Sequence, residues 1–193
     1  MTSRFTFTSL ILGSLAALTM TSAAMAAPLK VDANKSTVTA VFKQLNVPVE
    51  AKFKKFVVQI DFDSTKPDHA KASVEIDIPS FDLGDPEYNA EVLKKEWFNG
   101  SQFPKATFVA GTIKPSAGAP AGSKYDVTGK LTIKGKTTDV QFPLLVKKEG
   151  NVQIFDGTLP IKRLSFNIGE GEWKDTSMVA DEVVIKFHVV TTP

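Results

Sequence analysis

The chain has 193 residues, 42% hydrophobic and 23% charged, with 23 Lys and Arg against 21 Asp and Glu for a formal charge of +2, and no cysteine. This near balance, without any long basic run, leaves no electrostatic footprint for nucleic acid. The lack of cysteine excludes a disulfide framework and thiol chemistry, so stability has to come from packing.

The chain opens with Arg4, an apolar run from Leu10 to Met20 and small residues ending Ala24-Met25-Ala26. This is the pattern of a secretory signal peptide, and its apolar run is too short to span a bilayer. A cut after Ala26 satisfies the A-x-A rule, whereas a cut one residue later would put Met25 at the outer small position and Pro28 directly after the cut. The expectation is a signal peptide over 1–26 and a single exported domain over 27–193. Loss of Arg4 lowers the formal charge from +2 to +1.

From Ser36 onward, period-two alternation dominates and predicts an antiparallel all-β domain. Strands are expected near Thr37–Lys43, Val49–Asp63, Lys71–Pro79, Ala106–Lys114, Val152–Lys162 and Glu182–Val190. In "YDVTGKLTIK", Tyr125, Val127, Gly129, Leu131 and Ile133 face one way and Asp126, Thr128, Lys130, Thr132 and Lys134 the other. "DVQFPLLVK" follows the Gly135 turn with Val140, Phe142, Leu144 and Val146 on its dry face, so the two runs read as a hairpin. Pro143 argues for an edge, bulge or bend. The Pro/Gly/Ala/Ser stretch from Lys114 to Lys124 is a loop between strands. About eight such strands can close as a barrel or stack as a sandwich; closure alone removes exposed edges and favours the barrel.

"PEYNAEVLKKEWFN" breaks the alternation. Tyr88, Val92, Trp97 and Phe98 can share one side of a short helix while Glu91, Lys94, Lys95 and Glu96 stay wet, and Asn99-Gly100 ends it. One amphipathic helix in a small barrel is expected to cap an open end and keep water from the interior.

The segment "YDVTGKLTIKGKTTDVQFPLLV", Tyr125 to Val146, resembles the "v-x-G-x-L-T-i-x-G-x-T" hairpin of the YceI-like proteins. "FDLGDPEYNAEVLKKEWFNGSQFPKATF" is similar to that family's "W-F-[ND]…F-P-x-A-x-F" segment, and "IKRLSFNIGEGEWKDTSMVADEVVIKFHV" resembles its ending, with Arg163, the Gly169 turn and Trp173 in matching places. The resemblance runs from about Val31 to Val190. It implies an eight-stranded lipocalin-like barrel in the periplasm that holds a polyisoprenoid or an isoprenoid quinone such as ubiquinone without covalent attachment, and needs no other cofactor. Two features depart from the family. Glu87-Tyr88-Asn89 stands where many members carry Arg-Asp-x-His, and "STVTAVFK" lacks the histidines often found in the first strand. The match looks closer to the branch associated with cytochrome b561, which implies a quinone ligand and adds transient contact with a membrane or a cytochrome b561-type membrane protein, and a homodimer, to the expected partners.

Composition alone does not decide whether such a barrel is filled by side chains or hollow; the resemblance implies a cavity. Its expected apolar wall is Val38, Phe42, Phe53, Phe56, Ile76, Ile78, Leu93, Trp97, Phe98, Phe108, Leu131, Phe142, Leu144, Phe166 and Phe187. Arg163 has two readings, a strand arginine paired with a surface carboxylate or a planar donor for a lipid head group. His69 and His188, far apart and without cysteine, make a poor metal site. Asp82, Asp85 and Glu87 read as turn and helix-start residues, and Gly169-Glu170-Gly171 reads as a turn. An enzyme, such as a hydrolase on a small apolar substrate, is the competing function; the sequence has no G-x-S-x-G elbow and no histidine placed as a base, so no catalytic residue is expected. An outer-membrane barrel is disfavoured by only two Trp and two Tyr. A true lipocalin would carry an early G-x-W.

Overall fold

The computed structural model describes residues 29–192, so the expected leader and its cleavage point lie outside the described residues. The alternating segments form one antiparallel sheet of ten strands: β1 (Thr37–Gln44), β2 (Val47–Phe53), β3 (Phe56–Asp61), β4 (Lys71–Asp77), β5 (Phe81–Asp82), β6 (Lys105–Pro115), β7 (Lys124–Ile133), β8 (Lys136–Glu149), β9 (Val152–Lys162) and β10 (Val179–Val190). Their order in space is β3-β4-β6-β7-β8-β9-β10-β1-β2-β5.

The expectation of eight strands is corrected to ten. The run from Val49 to Asp63 is two strands, broken at Lys54-Lys55, and a two-residue β5 pairs Phe81 with Phe53 and Asp82 with Lys52. The break is bridged rather than laddered: the backbone N–H of Lys54 donates to Ser80 O at 3.1 Å, that of Lys55 to Ser80 Oγ at 2.9 Å, and that of Asp77 to Lys55 O at 3.0 Å. Because β3 and β5 end the order and do not pair with each other, the sheet is a curled half-barrel and not a ladder closed on itself. Curling folds one face of the sheet inward on itself but leaves β3 and β5 as edges.

The hairpin read at Tyr125–Val146 is present, with β7 and β8 in register from Ile133–Lys136 through Lys124–Leu145. Its turn places Lys134 at φ 48° and Gly135 at φ 74°, the left-handed pair that a tight hairpin requires. Pro143 lies inside β8. Since β9 joins β8 only from Leu144 onward, the proline stands where a one-sided strand becomes two-sided, an edge-like position suited to its missing N–H.

The helix is shorter than its sequence pattern suggests. α1 covers only Pro86–Glu91, started by Pro86 and by the Asp85 carboxylate, which accepts from the N–H of Glu87 at 2.7 Å and of Tyr88 at 3.3 Å. After Glu91 the chain winds through turns: Phe98 N–H donates to Val92 O at 3.0 Å and Gly100 N–H to Leu93 O at 2.9 Å, while Asn99 adopts φ 50°. These turns rotate Trp97 inward, where a continued helix would have carried it on along the surface. Trp97 is 9% exposed although it is not helical.

An apolar cavity as candidate functional site

Alternation sends one set of side chains inward from every long strand: Val38, Ala40 and Phe42 from β1, Ala72, Val74 and Ile76 from β4, and Val183, Ile185 and Phe187 from β10. They do not meet in the middle. They surround a cavity of about 470 Å³, within the roughly 300–1,000 Å³ typical of small-molecule sites. Val74, Phe108, Val183, Ile185 and Phe187 are only half-buried although they face inward, as expected of walls around a hollow rather than members of a filled core.

Two glycines set the cavity's waist. A Cβ on Gly157 would lie 2.1 Å from the Phe187 ring, and one on Gly129 would lie 2.5 Å from the Phe108 ring, so each phenyl packs against backbone that only a glycine leaves bare. Phe142 joins these two rings, with centroids 5.5 Å from each. One end is sealed by Phe62, packed edge-on against Tyr125 at 5.2 Å and Phe155 at 5.5 Å. Wall residues reach solvent around Gln44 and Tyr88, with Val49, Leu83, Glu91 and Val92 half-buried beside them, which marks the mouth.

α1 is held at that mouth by a carboxylate. Asp82 accepts from Lys54 Nζ at 2.6 Å, from Asn89 Nδ2 at 2.8 Å and from Gly84 N–H at 3.2 Å, and Asn89 Oδ1 in turn accepts from Leu83 N–H at 2.7 Å. The lysine first, then these donors, hold the Asp82 carboxyl down to about 2. The clustered acids thus act on the helix and its loop, with Asp82 as the tie and Asp85 as the cap.

Trp97 is fixed from three sides. Glu96 O accepts from the N–H groups of Gly169 and Glu170, both at 2.8 Å. Lys134 Nζ, almost wholly buried, donates to Lys95 O at 2.8 Å, Asn167 O at 2.7 Å and Glu170 Oε2 at 3.0 Å, using all three of its protons. The indole packs against Trp173 with centroids 5.2 Å apart, and the Arg163 guanidinium stands 5.8 Å from its ring. Its Nε1–H is buried and has no hydrogen-bond partner, the one such side-chain atom among the described residues.

Arg163 fits neither sequence reading. It is 2% exposed, and its five N–H donors all meet main-chain carbonyls: Nε donates to Ala180 O at 3.0 Å, Nη1 to Ile168 O at 2.8 Å and Gly169 O at 3.3 Å, and Nη2 to Trp173 O and Val179 O, both at 2.7 Å. None is left for a lipid head group, and no surface carboxylate pairs with it. Burial lowers its pKa, with Asp181 opposing that effect. Gly169 makes the fit possible: at φ 80°, a Cβ there would lie 2.0 Å from Nη1.

Of the expected wall residues, Val38, Phe42, Phe53, Ile76, Ile78, Trp97, Phe98, Phe108, Leu131, Phe142, Leu144 and Phe187 line the cavity; Phe56, Leu93 and Phe166 do not. Phe56 packs partly buried at the outer margin of the core, Leu93 covers Gly100, and Phe166 is buried in the one-turn helix Arg163–Phe166. Sequence reading missed Val58, Ile60 and Phe62 of the β3 region and Ala72 and Val74 of β4, which period two would have supplied. It also missed Trp173, reached only through the turn after Gly171. His188 Nδ1 lies 2.6 Å from Asp156 Oδ1, and His69 sits in the short turn Pro67–His69. No group of three His, Asp or Glu side chains able to hold a metal occurs among the described residues.

A curled antiparallel sheet around an apolar chamber, with a short helix at its mouth, defines a lipocalin-like half-barrel. The YceI-like domain model matches residues 29–191, and the chain belongs to that family. It is similar to the structure of BcnA from Burkholderia cenocepacia, at 55% identity and a TM-score of 0.80, covering 84% of this chain and 100% of that one. A polyisoprenoid binding domain from Saccharophagus degradans, described as implicated in plant cell wall breakdown, shares the fold at 17% identity and a TM-score of 0.64, covering 83% and 95%. UPF0312 protein plu2095 of Photorhabdus laumondii is 35% identical over 88 residues, 46% of this chain and 43% of the relative, so the match spans less than half of that protein.

Proposed function

We propose that the protein is a periplasmic binding protein that carries an isoprenoid lipid, either a polyisoprenoid or an isoprenoid quinone, in its barrel. The observation that carries this reading is the 470 Å³ cavity, walled almost entirely by aliphatic and phenyl groups. Such a site binds by removing apolar surface from water at roughly 25 cal/mol per Å², which suits a prenyl tail. The shared fold of the Saccharophagus polyisoprenoid binding domain supports the ligand class. Lipid exchange at a membrane suits the mouth. Next to Gln44, the β1–β2 turn exposes Leu45 at 64% and Val47 at 62%, Leu45 N–H bonds to the carbonyl of exposed Met178, and Tyr88 completes the apolar rim. A cytochrome b561-type membrane protein is the partner such a quinone carrier would serve.

Catalysis is not part of this reading. The polar groups on the wall, Gln44, Tyr88, Glu91, Thr107 and Arg163, form no hydrogen-bonded pair with one another that could act as nucleophile and base. Mass spectrometry of an organic extract from protein purified out of its own cell envelope tests the proposal. An isoprenoid lipid at near one-to-one ratio is expected; a non-isoprenoid small molecule, turned over on incubation, would favour the enzyme.

A further inference from the structure

The turn that joins β1 to β2 carries a leucine where the backbone disfavours one. Leu45 at φ 49° and Asn46 at φ 65° are the two central residues of a tight hairpin turn, closed by Gln44 opposite Val47. Both must adopt the left-handed conformation, which suits Asn, Asp and Gly and is a steric outlier for a bulky side chain. Burial does not compensate, since Leu45 is 64% exposed. Neither the turn nor the core accounts for a leucine here, and strain of this kind gathers at functional sites.

Leu45 is not alone. Its N–H donates to Met178 O at 2.8 Å, and Met178 and Val47 are exposed beside it. These three apolar residues share one joint, and exposed Tyr88 lines the same mouth, whereas Val57, Val109 and Leu145 are exposed singly on β3, β6 and β8. Gln44, the residue before Leu45, lines the cavity, so the apolar tip adjoins the opening of the chamber. The charges around it favour neither sign: Lys43 and Lys174 stand against Glu50 and Asp175, and the Asp175 carboxylate also accepts from the N–H of Ser177 at 2.9 Å and its hydroxyl at 2.7 Å. A hairpin turn projects from its sheet, so its side chains enter a partner, and neutral surroundings fit an uncharged lipid interface without calling for anionic lipid.

Resting on the lipid-binding reading, we infer that the β1–β2 turn is a membrane-insertion tip: Leu45, with Val47 and Met178, enters the apolar edge of a lipid bilayer and sets the mouth against it, so that the ligand passes between chamber and bilayer without crossing water. Leu45 then governs the rate of exchange, and the chamber wall governs affinity.

The test uses the full-length processed protein, stripped of lipid and loaded with farnesyl-benzoquinone, with phosphatidylcholine vesicles as acceptors. Because Trp97 and Trp173 line the chamber, departure of the quinone is read as recovery of indole fluorescence. The wild-type rate should rise with vesicle concentration and should not fall between about 0.1 and 1 M salt, the mark of contact made by apolar insertion rather than by charge. Leu45→Asn replaces the apolar side chain with one that tolerates the left-handed turn. It should unfold at the same or a higher urea concentration, bind farnesyl-benzoquinone in vesicle-free solution within about twofold of the wild type, and transfer it to vesicles about tenfold more slowly, as the lost apolar transfer of one leucine implies. Met178→Gln leaves the turn and its backbone bond in place and should slow transfer in the same direction. Leu145→Thr removes an exposed leucine opposite Lys124, beside the sealed end, and should transfer at the wild-type rate.

A wild-type rate indifferent to vesicle concentration, transfer that needs phosphatidylglycerol or is slowed severalfold by salt, unchanged transfer in Leu45→Asn and Met178→Gln, or equal slowing in Leu145→Thr overturns this inference and leaves lipid binding intact. So does a wild-type dimer that Leu45→Asn takes apart with no change in transfer, which would make the turn an interface between copies. Failure of the wild type to bind farnesyl-benzoquinone at all overturns the lipid-binding reading itself.

Discussion

Replacing Arg163 with alanine should unfold the protein before it affects any ligand. The guanidinium is 2% exposed and bridges five carbonyls drawn from Ile168, Gly169, Trp173, Val179 and Ala180, so it joins the turn after β9 to the start of β10 and backs the Trp97 ring. A hydrogen bond to a charged group contributes about 1.5–3 kcal/mol, but five around one side chain are not additive, since relaxation and entering water recover part of the loss. The expected cost is about 3–5 kcal/mol, the range seen when one partner of a buried charged network is removed. Against a typical total of about 5–15 kcal/mol this is a severe loss, and at a urea slope near 2 kcal/mol per M it moves the midpoint down by about 2 M. Urea unfolding followed by Trp fluorescence measures it, with an unchanged slope as the sign of a pure stability effect. Arg163→Lys should recover less than half, because one ammonium cannot span carbonyls that a planar fork reaches on three sides. A midpoint shift below about 0.5 M, together with a tenfold loss of farnesyl-benzoquinone affinity, would refute this reasoning and return Arg163 to the head group.

Gly157→Ala, which sets a Cβ against the Phe187 ring, should cost about 1–3 kcal/mol by overpacking and narrow the waist, read as a lower urea midpoint and weaker prenyl-lipid binding. Val74→Trp projects an indole into the cavity from β4 and should weaken lipid binding more than about tenfold with little change in melting temperature, since it fills space instead of displacing packed atoms. The Asp82 tie should fail in acid. Its folded pKa, about 2, lies below the ordinary 3.8, so its contribution is fully present above that value and is lost as pH falls toward 2. Hydrogen-exchange protection at Leu83 and Asn89, taken relative to the intrinsic rate at each pH, should therefore fall over that window, and Asp82→Asn should flatten the dependence.

Much of the fold was legible because period two is a strong local signal: the Tyr125–Val146 hairpin, its Lys134-Gly135 turn and the inward set from Tyr125 to Ile133 all stand in the structure as the alternation places them. The break at Lys54-Lys55 was not legible, because the alternation continues through Phe53 and Phe56 and only the distant Ser80 and Asp77 reveal the split. The helix was overread for a similar reason. Tyr88 and Val92 have helical spacing, but Trp97, nine residues from Tyr88, would fall half a turn away on a continued helix; what buries it is a set of turns pinned by Lys134, Gly169 and Glu170, residues far along the chain. Arg163 shows the same gap: its five acceptors are main-chain carbonyls, which no side-chain pattern records. The cavity wall was largely visible as inward-facing Phe and aliphatic residues, whereas the hollow between them depends on how far the sheet curls.

The central claim is that affinity comes from the prenyl tail filling an apolar chamber of finite length, and a titration of lipid-stripped protein with benzoquinones of increasing prenyl tail length tests it most directly. Transfer alone gains about 0.8 kcal/mol per methylene-sized group, reduced by the ordering of each rotatable bond, so each added isoprene unit should still tighten binding several-fold. The gain should continue until the tail reaches the Phe62, Tyr125 and Phe155 seal and then level off. An affinity that does not change with tail length from the shortest probe onward would contradict the account.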